Sequence, residues 1–560
     1  MATKPGVSPC KASAPAAPRP LRALAEKLLI IGLDGATFDV LDPLMDAGRM
    51  PALRAFIRGG AAGTLYSTKP PITPAAWTTF MTGKGPGLHG IVDFEKYDVR
   101  THTLTFNSTY EIREETLWEH LSKKGLRVGS VNVPMTYPPR PVNGFMISGF
   151  ETPSVDAEFT YPRELKAELL REFPDYDYRT NWRRGALGRL AQLKVNLDYI
   201  SASFDQGRRI TRYCGERFGW DVLMIVYKLV DNLQHKAWKY LDPRYKQRYP
   251  REAEMAAECF RRLDDALRGL FAYADEHGAT VLIMSDHGHG SLDGKAQPNL
   301  LLRNWGYLSL RSPWQQAAQR ASYWGRRLTK GRATRFEQGS RGVERDLAVD
   351  WTRTRACVMH AGIYGFLYIN LKGRGPIGIV EPSEYESLRD EIAERLRSEV
   401  VSGRDGTPLR VFRDVYRTEE LYGCSRDDNP DLPDLLLSPH PGLAVVRKIR
   451  GGRRVRWSPE SRLEGTHRIE GIVALGGPHV RAGRRIEGNI VDITPTALAA
   501  LGLRVPIDME GRVLGEAFDT APVIEREPPV ARTLADEVEV YSEEDRRILE
   551  RRLGELGYLE

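Results

Sequence analysis

The chain has 560 residues, 41% of them hydrophobic, and a formal net charge of +7. This length and composition allow a large buried core, in one elaborated domain or in two, but no apolar run approaches the roughly 18 residues of a membrane span. Five cysteines without a Cys-x-x-Cys pair argue against a disulfide framework, and no basic tract indicates a nucleic-acid-binding arm.

The chain begins with residues 1–26, which are rich in alanine and proline and lack the apolar segment of a signal peptide. We therefore expect a disordered tail and, given the cysteine usage, a cytoplasmic protein. From residue 27 to 520, apolar strands alternate with amphipathic stretches, which is typical of an α/β domain with a mostly parallel sheet sandwiched by helices. A spacing near 3.6 residues predicts one helix at about Glu252–His277.

Two segments interrupt this pattern and are interpreted as inserted caps. Residues 151–220 are largely polar with few strand signals, and residues 304–350 are rich in arginine and tryptophan. The second segment could contact a membrane surface or an acidic partner as a basic amphipathic helix, although a surface helix with a solvated basic face is favoured. Residues 521–560 predict a linker and a C-terminal helix with Ser542 as its N-cap.

Three apolar runs each lead into residues that can bind metals. LLIIGL leads into Asp34, VLMIVYKLV leads into Asp231 with His235 four residues later, and TVLIMS leads into Asp286 and His287. In an open α/β sheet, ligands bind at the carboxyl ends of the strands. Because aspartate and histidine together are ligands for zinc or a similar divalent ion, the three runs predict one metal-dependent hydrolytic site.

Thr73 lies in the segment PPITPAAWTTFMTG, directly before Pro74. Proline suits the first position of a helix, which predicts Thr73 as the N-cap beside free backbone N–H groups that favour an anion. The local sequence alone favours an ordinary cap over a nucleophile that faces a bound phosphate.

The chain as a whole resembles the alkaline phosphatase superfamily, in particular its type I phosphodiesterase / nucleotide pyrophosphatase branch. The resemblance covers roughly residues 27–514, and its motifs occur in the order of that branch. They are Gly32-Leu33-Asp34-Gly35, Thr73 with Thr82-Gly83 nine residues later, His89-Gly90-Ile91, Asp231-x-x-x-His235, Ser285-Asp286-His287-Gly288 and Gly465-Thr466-His467.

The resemblance implies two divalent ions, with zinc expected and manganese as an alternative. It assigns Asp231, His235 and His467 to one ion. It assigns Asp34, Asp286 and His287 to the other ion, together with the oxygen of Thr73, which is both a metal ligand and the nucleophile. Two ions of this kind can stabilise the attacking and the leaving oxygen of an in-line displacement.

Other residues are less clearly assigned. Branch members that act on nucleotides place an asparagine after His-Gly-Ile, where this chain has Val92-Asp93-Phe94. His289 is interpreted as a surface histidine and left out of the ligand set, and His89 as a structural residue that fixes a turn. Whether His360 lines the substrate pocket is left open.

The favoured function is a two-metal phosphoric-ester hydrolase for a phosphodiester or nucleotide pyrophosphate, a small molecule and not a specific nucleic acid. Phosphonate hydrolysis, phosphomonoester hydrolysis and phosphoryl transfer remain alternatives on the same site. A non-catalytic regulator that binds a nucleotide or a lipid headgroup is disfavoured, because every implied ligand position and the nucleophile position are filled.

Overall fold

The computed structural model describes residues 22–101, 103–177, 182, 188–317, 348–427, 429–449, 451–529, 532 and 540–556. Its largest feature is a central β-sheet whose strands come from both ends of the chain. These strands are β1 (Leu28–Leu33), β2 (Ala61–Tyr66), β5 (Val128–Val133), β6 (Gly144–Ser148), β7 (Thr160–Tyr161), β8 (Val222–Tyr227), β9 (Thr280–Met284), β21 (Glu470–Gly476) and β22 (Arg484–Asn489).

The sheet is mostly parallel, as the alternating pattern predicts. Its order is β22-β2-β21-β9-β1-β8-β5-β6-β7. The five strands from β9 to β6 run parallel, whereas β21 and β7 run antiparallel to their neighbours. The carboxyl ends of β9, β1 and β8 therefore lie side by side at one edge of the molecule.

Helices cover both faces of this sheet. The helices of the described residues are α1 (Phe38–Asp46), α2 (Pro51–Gly59), α3 (Thr73–Thr82), α4 (Pro86–His89), α5 (Leu117–Lys123), α6 (Glu164–Glu172), α7 (Arg189–Phe218), α8 (Leu229–Leu241), α9 (Pro250–Glu276), α10 (Pro298–Asn304), α11 (Tyr385–Ser398), α12 (Thr418–Tyr422), α13 (Ile493–Ala500) and α14 (Glu543–Leu556). The α9 helix confirms the one predicted at about Glu252–His277. None of these helices combines the length and the hydropathy that crossing a bilayer requires.

Alternate residues of the central strands pack into two separate hydrophobic cores. In β1, Leu29, Ile31 and Leu33 face a core shared with α7, α8 and α9. Leu28 and Ile30 face a second core shared with α3, α5 and α13. Because successive side chains of a strand point to opposite faces, this pattern requires the helix–sheet–helix sandwich that the sequence predicts.

A third core belongs to a smaller antiparallel sheet of order β12-β13-β17-β16. Its strands are β12 (Ala356–Ala361), β13 (Gly365–Ile369), β16 (Phe412–Arg417) and β17 (Leu435–Pro439). The remaining short strands are β3 (Glu95–Asp98), β4 (Thr103–Phe106), β10 (Gly288–Leu292), β11 (Gly294–Ala296), β14 (Val400–Ser402), β15 (Pro408–Arg410), β18 (Leu443–Val445), β19 (Val455–Trp457), β20 (Glu464–Arg468), β23 (Val505–Pro506) and β24 (Arg526–Glu527). Only the pair β10–β20 contributes to the site described below.

The structure corrects part of the cap interpretation of residues 151–220. The α7 helix packs along α9 and buries Leu193, Leu197, Ile200 and Phe204 in the core beneath the sheet. These side chains recur every three or four residues, so α7 has an apolar stripe and belongs to the helical layer. Within the second predicted cap, residues 318–347 lie outside the described residues. The predicted surface helix with a solvated basic face, and the less favoured membrane contact of residues 304–350, therefore stay predictions.

At the C-terminal end, the structure confirms the predicted cap of α14. The Ser542 hydroxyl accepts a hydrogen bond from the backbone N–H of Asp545 at 3.2 Å, and the Asp545 carboxylate accepts one from the backbone N–H of Ser542 at 3.0 Å. The predicted limits of the catalytic domain, at residues 27 and 520, stay a prediction.

Candidate metal centre and active site

The predicted site residues come together at the carboxyl ends of the central strands. Asp34 follows β1, and Asp286 and His287 follow β9. Asp231 lies in the first turn of α8, which follows β8. The apolar run before Asp231 is thus only partly strand: β8 ends at Tyr227, and the next three residues form the turn and the start of α8.

One side of the centre is an imidazole site, formed by Asp231, His235, His289 and His467. All four side chains are buried. Three imidazole Nε2 atoms converge on Asp231 Oδ1, at 3.2 Å for His235, 3.4 Å for His289 and 3.3 Å for His467. His289 is therefore not the surface residue that the sequence interpretation made it, because β10 carries it into the interior, opposite His467 of β20.

Backbone carbonyls orient these imidazoles. The Nδ1 atom lies 2.9 Å from the carbonyl oxygen of Gly465 in His235, 3.1 Å from that of Gly35 in His289, and 2.8 Å from that of Pro71 in His467. Since a carbonyl oxygen only accepts, each Nδ1 carries the hydrogen and each Nε2 presents a lone pair to the centre. This orientation of a histidine by its other nitrogen is typical of metal-binding histidines.

Burial also favours the neutral form of His289 and His467, and of His287 beside them. Loss of solvation lowers the pKa of His467 to about 3 and lowers the pKa of His287 and of His289 well below the usual value. Neutral imidazole is the form that binds a metal. Among the described residues, His287 Nε2 and His289 Nε2 have no hydrogen-bond partner, so the donors fit a metal ion.

The other side of the centre is a carboxylate site, where Asp34, Asp231 and His287 could share a cation. Asp286 and Lys228 contact members of this cluster. The Lys228 ammonium donates to Asp34 Oδ1 at 3.2 Å and also to Asp231 Oδ2. Asp34 Oδ2 accepts from Trp77 Nε1 at 3.0 Å, and Asp286 Oδ1 accepts from the backbone N–H of Gly35 at 3.0 Å. Lys228 was missed by the sequence interpretation, which placed it inside an apolar run.

Three buried carboxyl groups crowd this region, and their pKa values diverge. Burial raises the pKa of Asp34 to about 7, although Lys228 opposes this rise. Burial and the neighbouring Asp34 charge raise the pKa of Asp286 well above its usual value. The pKa of Asp231 is held well below its usual value against the effect of burial, by the charges of His235 and Lys228. Asp34, Asp231 and Asp286 could all be ionised at once only if a further positive charge joined that of Lys228.

Thr73 is fully buried and is the first residue of α3, with Ile72 as the N-cap in an extended conformation. The prediction of Thr73 as N-cap is therefore wrong by one position, because Thr73 already has the helical backbone. Two contacts tie this helix end to the centre. Trp77, one turn later, donates to Asp34, and His467 donates to the carbonyl oxygen of Pro71, two residues before Thr73.

Comparison with known proteins then decides the family. Residues 28–470 match the family described as Type I phosphodiesterase / nucleotide pyrophosphatase. The chain belongs to this family. A search of curated protein sequences gave no match.

Solved structures with similar folds include phosphonoacetate hydrolase from Sinorhizobium meliloti 1021, in complexes with phosphonoformate and with phosphonoacetate. Each is 16% identical, with a TM-score of 0.49, and the match covers 84% of this chain and 94% of the other. An inactive variant of murine ectonucleotide pyrophosphatase / phosphodiesterase 5 with AMP is 11% identical, with a TM-score of 0.48 and coverages of 85% and 95%. The family match over residues 28–470 confirms the resemblance to the type I phosphodiesterase / nucleotide pyrophosphatase branch.

Within this type I phosphodiesterase family member, the segment after the His-Gly-Ile motif lies close to α3. Phe94 is buried with Ile72 and Ala75 and packs edge-on against Phe150, with ring centroids 5.5 Å apart. Asp93 Oδ2 lies 2.7 Å from His360 Nε2. His360 is therefore held by an acidic partner.

His89 has the structural role that the sequence predicts. It is the last residue of α4 and is fully buried, and its Nε2 lies 2.9 Å from the Thr79 hydroxyl. Its Nδ1 accepts from the backbone N–H of Ile91 at 3.1 Å. These contacts fix the turn after α3.

Proposed function

We propose that this protein is a two-metal phosphoric-ester hydrolase that uses Thr73 as its nucleophile. The observation that carries the proposal is the juxtaposition of the start of α3 with the imidazole and carboxylate sites. Asp231, His235 and His467 would hold one ion, and Asp34, Asp286 and His287 the other, as the family resemblance implies. Bound divalent ions, zinc or manganese, would supply the positive charge that stabilises the attacking and the leaving oxygen.

The chain's own residues account for the remaining steps. The Thr73 oxygen forms a bond to phosphorus and loses its proton, while the leaving alcohol departs with the bonding electron pair and takes up a proton. The intermediate is a phosphodiester of Thr73 that keeps the second organic group. Water then attacks its phosphorus, a proton returns to the Thr73 oxygen, and the phosphate monoester of that group is released. The first N–H groups of α3 and the positive end of its dipole favour the anionic phosphoryl group beside Thr73.

The predicted substrate class is a phosphodiester or a nucleotide pyrophosphate. Asp93 and Phe94 offer an acid and an apolar ring where nucleotide-acting relatives have an amide, so neither favours a dianionic phosphate. The Lys228 ammonium is already engaged by two carboxylates. A diester has a single negative charge and a second organic group, which suits the apolar cluster around Phe94.

Replacement of Thr73 tests the nucleophile. Thr73→Ala should abolish turnover of bis-(4-nitrophenyl) phosphate, whereas Thr73→Ser should keep measurable turnover because the hydroxyl survives. Both variants should keep their bound metal, since the aspartates and histidines are unchanged. Steady-state kinetics and elemental analysis on the same samples check both statements.

Thr79→Ala is the matched control, because Thr79 lies on the same helix and its hydroxyl contacts His89 instead of the centre. This variant should keep most of its turnover. Near-normal turnover of Thr73→Ala would show that another oxygen attacks phosphorus and would refute the assignment.

The substrate class has its own test in the ratio of kcat/KM for bis-(4-nitrophenyl) phosphate to that for 4-nitrophenyl phosphate. We expect the unaltered protein to favour the diester. Phe94→Asn should shift the ratio towards the monoester by at most the value of one hydrogen bond to a charged group, about 1.5–3 kcal/mol. A ratio does not depend on the folded fraction of the sample, and Phe94→Leu, which adds no donor, is the control. A preference of the unaltered protein for the monoester would contradict the diester assignment.

A further inference from the structure

We propose that His289 is the fourth protein ligand of the metal ion at the imidazole site. The inference rests on the proposed function, because it concerns the ion that Asp231, His235 and His467 would hold. The ligand set implied by the family resemblance does not include this residue.

Strand pairing places His289 beside an assigned ligand. His289 in β10 and His467 in β20 are directly opposed in an antiparallel pair. Side chains of directly opposed residues project from the same face of the ladder. The two rings accordingly lie 5.2 Å apart between centroids, and His289 also meets His235 edge-on, with centroids 4.6 Å apart.

Three of the distances between the donor atoms are those of a tetrahedral set, and all four donors lie within 4.8 Å of one another. With zinc–nitrogen bonds of about 2.0–2.1 Å, neighbouring ligands of a tetrahedron are about 3.3 Å apart. The three Nε2 atoms lie 3.2 to 3.4 Å from Asp231 Oδ1. His235 Nε2 and His467 Nε2 are 2.9 Å apart. His289 is thus as close to Asp231 as the two assigned histidines are.

A structural role alone does not explain His289. A histidine that only fills a core has both nitrogens satisfied or one facing solvent, whereas His289 Nε2 is buried and has no hydrogen-bond partner among the described residues. Its Nδ1 is held by the Gly35 carbonyl. Gly35 has a φ of +70°, and a Cβ atom there would come within 2.7 Å of His289 Nδ1. The absence of a side chain at Gly35 thus leaves space for the His289 imidazole beside the metal centre.

Four protein ligands would change the character of this ion. A zinc ion with three protein ligands keeps a position for water or substrate, whereas one with four protein ligands is closed. The imidazole site would hold its ion tightly, and that ion would contact a substrate oxygen only by expanding to five-coordinate.

Metal binding by the full chain tests the proposal without reference to activity. Competition titrations give the affinity for the first equivalent of Zn²⁺, and the absorption of protein with one equivalent of Co²⁺ reports coordination number. We expect His289→Ala to lower first-equivalent affinity by more than the 10–100-fold typical of losing an outer-shell partner. Its cobalt absorption should weaken, because water replaces the imidazole and the opened site admits a further water that raises the coordination number. His289→Gln, which preserves side-chain length and buried volume, should show the same direction of change.

His277→Ala is the control, because this imidazole lies at the other end of β9 and bonds to the Tyr273 carbonyl oxygen. It should leave affinity and spectrum unchanged. Folded His289 variants with unaltered affinity and spectrum would overturn the fourth-ligand assignment and leave the two-metal function standing. An unaltered protein that binds no divalent ion would overturn both.

Discussion

The two halves of the metal centre differ in how they balance charge before any ion binds. The imidazole site presents three Nε2 nitrogens around a single carboxylate oxygen, and backbone carbonyls hold the three rings in place. The carboxylate site presents two further acids, partly neutralised by the Lys228 ammonium. The first half is preorganised for a cation, whereas in the second half an ion must compete with a cation of the chain itself.

This difference follows from where each half lies in the fold. The carboxylates are at the ends of buried parallel strands, where burial raises the pKa of Asp34 and of Asp286. Two of the three imidazoles come from the β10–β20 pair, whose regular pairing fixes their separation. Asp231 belongs to both halves, since Oδ1 faces the imidazoles and Oδ2 contacts Lys228.

Removal of the shared carboxylate should have the largest effect. Asp231→Asn replaces an anionic oxygen that faces both halves with a neutral amide, so we expect both ions to bind more weakly and diester hydrolysis to be lost. Elemental analysis after dialysis should find fewer than one ion per chain, compared with nearly two in the unaltered protein.

The control for Asp231→Asn is Asp434→Asn. Asp434 is a buried aspartate of the smaller sheet and is paired with Arg374 and Arg426. This change should reduce stability but leave the metal content unchanged. Retention of both ions by Asp231→Asn would show that the two halves do not share this ligand.

Replacement of Lys228 separates the halves. Lys228→Met removes the ammonium that occupies Asp34 Oδ1 and Asp231 Oδ2, so affinity for the second ion should rise. Two unit charges 4 Å apart interact by about 4 kcal/mol at an effective dielectric constant of 20. We expect loss of the ammonium to raise the affinity for the second ion by about tenfold, or about 1.4 kcal/mol, which is well within this value. Affinity for the first ion should change less. Calorimetric titration with Zn²⁺ resolves the two steps.

Lys239→Met is the matched control, because Lys239 is also on α8 and largely buried but donates to the Ser461 carbonyl oxygen. Both zinc affinities should stay unchanged in this variant. Weaker binding of the second ion in Lys228→Met would mean that the ammonium supports that half instead of competing with the ion.

The carboxylate half was largely predictable from the sequence. Apolar runs mark buried strands, and parallel strands deliver the residues after them to one edge, so Asp34, Asp286 and His287 could be placed together. Lys228 was hidden because a strand and a helix start form one nearly continuous apolar run. Tertiary packing ends β8 at Tyr227, and the local hydropathy of the sequence does not indicate this boundary.

The imidazole half depends on a contact that local pattern does not encode. His289 stands between two glycines in a short strand, and its burial follows only from pairing with β20, far along the chain. The α7 helix could have been predicted from the sequence. Its apolar residues from Leu193 to Phe204 recur at helical spacing, but the segment was interpreted as a cap because it is polar overall. In this segment, the periodicity of the apolar residues indicates the structure better than the average polarity does.

The expected effect with the least bearing on metal binding concerns stability, and it involves a buried acid on the Lys228 side. Glu151 Oε1 accepts from the backbone N–H of Met135 at 3.1 Å, and Oε2 has no hydrogen-bond partner among the described residues. Burial raises the pKa of Glu151 from 4.5 to about 7, although Lys228 and Arg552 oppose the rise. The stability that the protonated carboxyl contributes is therefore fully present below about pH 4.5 and is lost as the pH rises through about 7.

Glu151→Gln keeps the acceptor for Met135 but cannot ionise, so its stability should not fall over this range. A change in pKa from 4.5 to about 7 corresponds to about 3 kcal/mol at most. In metal-free protein, the variant should unfold at higher denaturant than the unaltered chain at pH 8, and this advantage should shrink towards pH 5. Glu158→Gln, a change at an exposed acid, should show no such trend. An equal difference between Glu151→Gln and the unaltered chain at both pH values would show that Glu151 does not titrate in this range, and the Lys228 side would then carry one more permanent negative charge.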